Sequence, residues 1–176
     1  TAGVYTVTGT TNGCSNTQTV NLTVTANPTV AVANATICAG SSTVLTASGA
    51  TTYSWSPTTN LSDPNIANPV ANPPVNTTYT VTVTGANGCT NTASNVVTVN
   101  ANPAVVTTAN GPLTFCQGGS VTLNATGAAS YIWSNGTLGS SNIITQSGTY
   151  YVQGTNAAGC TSNSAVVTVT EIGRAS

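Results

Sequence analysis

Two sequence segments recur along this chain, and their spacing limits what it can fold into. The first ends in Gly-Cys and occurs as TAGVYTVTGTTNGC over 1–14, TTYTVTVTGANGC over 77–89 and QSGTYYVQGTNAAGC over 146–160. The second runs C-x-G-x-S, then an alternating stretch, then Tyr-x-Trp-Ser, and spans Cys38–Ser56 and Cys116–Ser134. Self-similarity of this kind marks a tandem array of one structural unit. The period of roughly 70–80 residues is a small-domain length, longer than a solenoid repeat. The phase shows that the chain opens partway through a unit.

Composition narrows the chemistry. Lysine and histidine are absent, and Asp63, Glu171 and Arg174 are the only charged residues. Soluble domains carry about a quarter charged residues. Here Thr, Asn and Ser must solvate the surface. No basic patch can form, so phosphate-driven nucleic-acid binding is excluded, as is electrostatic attraction to anionic lipid. Acid–base catalysis needs titratable groups held close together, and two carboxyls far apart in sequence do not supply them. The expectation is no enzyme and no cofactor. No apolar run approaches the roughly 20 residues of a membrane-spanning helix, so no membrane insertion is expected. The chain lacks an initiating Met and a signal peptide, which reads as a mature, processed or excised segment.

Thr and Val alternate with period two, punctuated by Asn-Gly, Asn-Pro and Gly-Ala. That pattern predicts short half-buried strands joined by tight turns, an all-β sandwich without helices. In the middle unit, strands are expected at Thr29–Ala33 (strand A), Ser42–Ser48 (B), Thr52–Ser56 (C) and Thr77–Thr84 (F), with a last strand (G) ending near Val97 and Val99. One or two short strands fit within Pro57–Asn76. Alternation turns Leu45 and Ala47, Tyr53 and Trp55, and Tyr79, Val81 and Val83 inward. The third unit repeats this with Val121, Leu123, Ala125, Tyr131, Trp133, Tyr150, Val152, Val167 and Val169. The first has only a hairpin, with Tyr5, Val7, Leu22 and Val24 on one face. Ala26-Asn27-Pro28 and Ala101-Asn102-Pro103 are short, stiff junctions, which predicts a semi-rigid rod.

The sequence C-x-G-x-S…Tyr-x-Trp-Ser…Tyr-x-Val-x-Val-x-Gly-x-Asn-Gly-Cys resembles the immunoglobulin-like and PKD-like repeats of very large secreted surface proteins of Bacteroidota. Gliding-motility adhesins and cargo of the type IX secretion system are among them. PKD repeats carry an FGDG-like turn after the Trp, whereas Ser56-Pro57 and Ser134-Asn135-Gly136 follow here. The immunoglobulin-like version is the better match. The resemblance runs to about Thr170. It implies tandem immunoglobulin-like β-sandwiches arranged head to tail: an F–G hairpin of an incomplete domain over 1–26, domains over 27–101 and 102–171, and a tail or next segment over 172–176. It also implies an extracellular, cell-surface location and a role in stalks, filaments or adhesion. Partners would be neighbouring repeats, copies of the chain in a filament, or a glycan or other surface.

Five cysteines at repeating positions suggest disulfides and an oxidising compartment. Metal binding is disfavoured, since there is no His and no C-x-x-C. Cys38 precedes strand B and Cys89 follows strand F, at opposite ends of strands that run the same way in this topology. A disulfide needs Cα atoms within about 7 Å. Head-to-tail stacking favours Cys38–Cys160, leaving Cys14 and Cys89 to pair upstream and Cys116 downstream. Ordinary bonding inside each repeat, Cys38–Cys89 and Cys116–Cys160 with Cys14 odd, is the alternative.

Trp55 and Trp133 read as core residues of strand C rather than sugar platforms, because they recur at one repeat position. Tyr5, Tyr79 and Tyr150 fall at the start of strand F, where a tyrosine corner or core position belongs. Tyr151 breaks the alternation and should point outward. Rows such as Thr78, Thr80 and Thr82 reflect β propensity and uncharged solubility rather than ordered-water templating. The reading is a non-catalytic structural segment. The alternatives are an adhesin module binding glycan or a surface, and a spacer attached to a secreted enzyme.

Overall fold

The computed structural model describes residues 2–173. Arg174 and the rest of 174–176, part of the expected tail, lie outside the described residues. Among the described residues every regular element is a strand. The chain divides into two compact units, Thr1–Ala35 with Ser42–Pro73 and Thr77–Val97, and Thr36–Ser41 with Pro74–Asn76 and Thr98–Ser176.

The first unit opens with β1 (Gly3–Thr11) and β2 (Cys14–Leu22), an antiparallel hairpin in register from Gly3↔Leu22 to Thr11↔Cys14. Its two-residue turn needs positive φ at both positions, and Asn12 (52°) and Gly13 (79°) supply it. Both strands are exposed along their length. Tyr5 is 50% exposed and Val7 68%, whereas the equivalent Tyr79 and Val81 are fully buried.

After β3 (Ala35–Cys38) come β4 (Thr43–Val44), β5 (Thr52–Ser56), β6 (Val70–Ala71), β7 (Thr77–Thr84) and β8 (Thr90–Asn100). One layer has the order β3-β8-β7-β5; β4 and β6 pair separately. Alternation along β7 sends Tyr79, Val81 and Val83 inward, and Leu45, Ala47, Trp55, Ala71 and Val97 are buried as well. Strands expected at Thr52–Ser56 and Thr77–Thr84 form with those limits. The expected Thr29–Ala33 strand is reduced to one bridge, Ala31↔Ser48, and the Ser42–Ser48 ladder to Thr43–Val44. Proline accounts for much of this. Leu45 N–H and Ala47 N–H donate to Pro69 O (2.9 Å) and Ala67 O (3.0 Å), but Pro69 has no N–H to return. Gly49 turns the chain beside this edge at φ 98°. A Cβ there would fall on the Thr29 carbonyl, as one at Gly127 would fall on Ala104.

The second unit carries β9 (Val106–Asn110), β10 (Thr114–Cys116), β11 (Val121–Thr126), β12 (Ser130–Trp133), β13 (Ser141–Ile144), β14 (Gly148–Tyr150), β15 (Val152–Thr155), β16 (Thr161–Asn163) and β17 (Val167–Ile172). The sheets are β13-β11-β9, β12-β15-β16 and β10-β17-β14, with β10 parallel to β17. Between them Val105, Val121, Leu123, Ala125, Trp133, Ile144, Val152 and Val169 form the core. Here the expected F strand is split at Tyr151. The register advances by one residue from Gln153↔Asn163 to Tyr150↔Val167, so the last strand carries a bulge. Ser164 fills it: its N–H donates to Val152 O (2.9 Å), and its hydroxyl accepts from Val152 N–H (3.1 Å). A bulged strand bends, which lets β14 and β15 join different sheets.

An isolated two-stranded hairpin is marginal in water. Amide exchange measured by mass spectrometry should therefore be fast over residues 2–26 and slow in β7, β8, β11 and β15. Equal protection across all of these in a verified monomer would contradict this fold.

Tyr79 sets a pH dependence. Burial raises its phenol above the ordinary value near 10. The folded state then holds its proton more tightly than the unfolded chain, so stability is unchanged below about pH 10 and falls above it as the unfolded phenol ionises. Denaturant titrations from pH 9 upward should show a steeper loss for the native chain than for Tyr79→Phe. Parallel slopes would refute it.

Candidate functional site

The residues singled out by sequence divide into a buried aromatic set and an exposed cysteine set. Trp55 and Trp133 are each 1% exposed. A buried indole needs an acceptor, and each finds one in the connection that follows strand C. Trp55 Nε1–H donates to Ile66 O at 3.0 Å, and Trp133 Nε1–H to Gly139 O at 2.9 Å. Neither offers a stacking face to solvent. Tyr79 is fully buried with its hydroxyl donating to Thr59 O at 3.2 Å. Tyr150 is half-buried, and its hydroxyl donates to Gln146 O at 3.1 Å, four residues upstream. That is the geometry of a tyrosine corner. Tyr131 and Tyr53 hold their own upstream turns in the same manner, Tyr131 donating to Ala128 O at 2.9 Å and Tyr53 to Ala50 O at 3.1 Å.

Cys38 and Cys160 are joined as a disulfide, with Cα atoms 5.5 Å apart and 122 residues between them in sequence. Cys14, Cys89 and Cys116 carry free thiols, so neither Cys38–Cys89 nor Cys116–Cys160 forms. Both bonded cysteines lie in the second unit. Cys38 ends β3, and the next residue, Ala39, donates its N–H to Asn100 O (2.8 Å). Cys160 directly precedes β16 and is 1% exposed.

The turn that presents Cys160 is clamped by Asn156. Its Oδ1 accepts from Cys160 N–H (3.0 Å) while its Nδ2 donates to Ala101 O (2.8 Å) in the Ala-Asn-Pro junction. Asn87 does the same for the other turn in the first unit. It accepts from Cys89 N–H (3.1 Å) and donates to Ala26 O (3.0 Å). The two asparagines occupy different places within their turns, yet they hold the same pair of groups. Sequence reasoning read these residues as turn formers only. The signal was available, since each turn pairs an Asn with Gly-Cys and each follows an Ala-Asn-Pro junction earlier in the chain.

Little else resembles a reactive site. Asp63 Oδ1 accepts from Asn65 N–H (2.8 Å) and Glu171 Oε1 from Gly118 N–H (3.3 Å). Both carboxylates thus serve backbone turns. Among the described residues no group of three or more Cys, Asp or Glu could hold a metal ion. Among the described residues no helix is long and apolar enough to cross a membrane. Tyr151 is 41% exposed, as its break from the alternation predicts. It borders a shallow groove with Ser134, Gln153 and Asn163.

No family model matches the sequence, and no curated protein matches it. Solved structures match the fold. The N-terminal eight Ig domains of Down syndrome cell adhesion molecule, isoform 1.30.30, superimpose with a TM-score of 0.52 at 15% identity, covering 98% of this chain and 27% of that one. Drosophila OTK extracellular domains 3–5 give 0.47 at 14% identity, over 97% of this chain and 71% of that one. The insect immune protein hemolin gives 0.45 at 15%, over 96% and 56%. The chain therefore spans about a quarter of the first of these molecules. Layered antiparallel sheets, the parallel pairing of β10 with β17, buried strand-C tryptophans and this superposition make the chain all-β with the immunoglobulin-like β-sandwich fold.

Proposed function

We propose that the chain is a structural segment of an extracellular stalk or filament built from immunoglobulin-like repeats, with a cohesive and non-catalytic role. Its domains would follow the sequence repeat: a hairpin of an incomplete domain at 1–26, whole domains at 27–101 and 102–171, and a tail or the start of a next segment over 172–176. The resemblance to Bacteroidota surface repeats supports a secreted setting of that kind. The observation that carries the reading is the Cys38–Cys160 disulfide. It joins a cysteine of one sequence repeat to a cysteine of the next, rather than closing one repeat on itself. A bond of this type takes load where two repeats meet, the place a rod would otherwise part. The near absence of charge fits a spacer better than a polar recognition site.

Force spectroscopy tests this. With the disulfide intact, the 122 residues it spans cannot extend. At ~3.3–3.6 Å per residue, that is about 40 nm of contour length. Pulling from the two ends should give a total extension shorter by this amount in oxidised protein, and the full length after reduction or in Cys38→Ser. Equal lengths under both conditions would remove the mechanical reading.

A binding role for the groove beside Tyr151 is the second reading. An exposed ring flanked by amide and hydroxyl side chains, Gln153, Asn163 and Ser134, has the chemistry to hold a sugar. On a glycan array, binding that is lost in Tyr151→Ala and kept after reduction of the disulfide would favour an adhesin over a stalk. No binding to any sugar would leave the groove without that role.

A further inference from the structure

A sheet edge that is covered in the second C-x-G-x-S repeat lies open in the first. In the second, β11 sits between β13 and β9, and β9 pairs with it from Thr126↔Val106 to Thr122↔Asn110. The equivalent strand of the first repeat is β4 with the residues after it, since Leu45 and Ala47 stand where Leu123 and Ala125 stand. It has β6 on one side. On the other side, among the described residues, one bridge forms, Ala31↔Ser48, at the place of Val106↔Thr126. Beyond it, Thr46 and Val44 find no strand partner on that side, where Asn124 and Thr122 have Thr108 and Asn110.

Chain length explains the gap. Both repeats start from a carbonyl lying against a glycine turn, Thr29 at Gly49 and Ala104 at Gly127. From there to the next cysteine the first repeat is three residues shorter, 29 to 38 against 104 to 116. In the second repeat Gly111-Pro112-Leu113 separates β9 from β10, so one segment serves two sheets. In the first, the segment must cross to β8 at once. Asn95 Nδ2 donates to Ala33 O (3.1 Å), Asn34 Oδ1 accepts from Val96 N–H (2.8 Å), and β3, which pairs with β8, begins at Ala35. Ala33 is the residue that would otherwise face Thr46.

The exposed backbone has a defined direction. Leu45 N–H and Ala47 N–H donate to Pro69 O and Ala67 O on the β6 side. Alternation turns the N–H and C=O groups of Val44 and Thr46 to the uncovered side. Proline and charge, the usual guards of an open edge, are both missing from residues 41–48. Small side chains, Ala31, Ala33, Ala47 and Ser48, line the cleft where the two segments part. Val44 sits opposite Val70, and both are exposed.

We propose that this edge is a strand-acceptor site, which takes an extended, uncharged peptide antiparallel to residues 44–46. The second repeat shows the chemistry that fits, because there the same edge is covered by Val-Thr-Thr-Ala-Asn. Main-chain hydrogen bonds supply the affinity and alternate side chains the selectivity. A β-branched residue opposite Val44 extends the row it forms with Val70. A small residue fits beside Ala33 and Ala47. A charged one meets no counter-charge, since no charged residue lines the cleft.

A synthetic peptide with the sequence of residues 104–110, AVVTTAN, added to the isotope-labelled 176-residue chain, tests this by amide NMR. The expected result is a saturable shift at Val44 and Thr46. Their hydrogen exchange should slow about ten-fold when free peptide is about ten times its dissociation constant. Thr46→Pro removes an outward N–H, leaves the Leu45 and Ala47 bonds to β6, and should abolish the response. A peptide carrying Thr108→Pro should not bind. Lengthening the first repeat by Gly-Pro-Leu after Asn34 should protect Val44 and Thr46 without peptide and block its binding. A retained Cys38–Cys160 bond reports an intact fold in both chain variants. No response at Val44 and Thr46, equal binding of the proline-bearing peptide, or unchanged binding to the lengthened chain would overturn the proposal. So would protection of these amides in concentrated chain without peptide, which would give the edge to a second copy.

Discussion

Asparagine amides satisfy the backbone where strands cannot. Junctions that carry proline offer carbonyls but few N–H groups, so their oxygens need donors from elsewhere. In a chain with three charged residues those donors cannot be Lys, and the one Arg is near the end. Asn87 and Asn91 donate to Ala26 and Pro28, Asn95 to Ala33, Asn102 to Ala39, and Asn156 to Ala101. Each of these carbonyls lies between regular strands. An amide group carries an acceptor as well as two donors, so Asn87 and Asn156 also hold the turn from which they project. The sandwiches, the junction segments and the placement of Cys160 all depend on this one kind of contact. It is neutral, so added salt does little to screen it.

The buried layer was plain from the pattern of residues alone. Strict alternation over Thr77–Thr84 can put only one set of side chains inside, and Tyr79, Val81 and Val83 are that set. Tyr53-x-Trp55 and Tyr131-x-Trp133 behave alike because both follow a glycine turn and precede a connection that supplies the indole's acceptor. Strand direction in the sequence favoured Cys38–Cys160, with bonding inside each repeat as the alternative, and the structure joins Cys38 to Cys160.

Other parts were hidden for physical reasons. The short ladder at Thr43–Val44 depends on which proline lies opposite, and that is a matter of tertiary pairing. The bulge at Ser164 inserts one residue in the third repeat only, where Ser can bond locally to the backbone. Asn95 occupies a 1% exposed position on an inward face. Alternation gives no reason to expect a polar side chain there, and the acceptor that allows it, Ala33 O, is 62 residues away. The clamps of Asn87 and Asn156 are likewise long-range. Residue patterns report which face is apolar; they carry less about which distant carbonyl lacks a donor.

The Cys38–Cys160 bond also alters the connectivity of the molecule. It turns residues 38–160 into a covalent ring from which two short arms extend. A single peptide-bond cut inside a ring does not divide it. A protease that nicks any loop between these cysteines leaves the two fragments joined, with both arms still attached to one object. The exposed turns and proline-rich connections, the places where cleavage concentrates, lie mostly within that ring. The hairpin at 2–26 lies outside it, so a cut at the Ala-Asn-Pro junction that follows would release that piece alone.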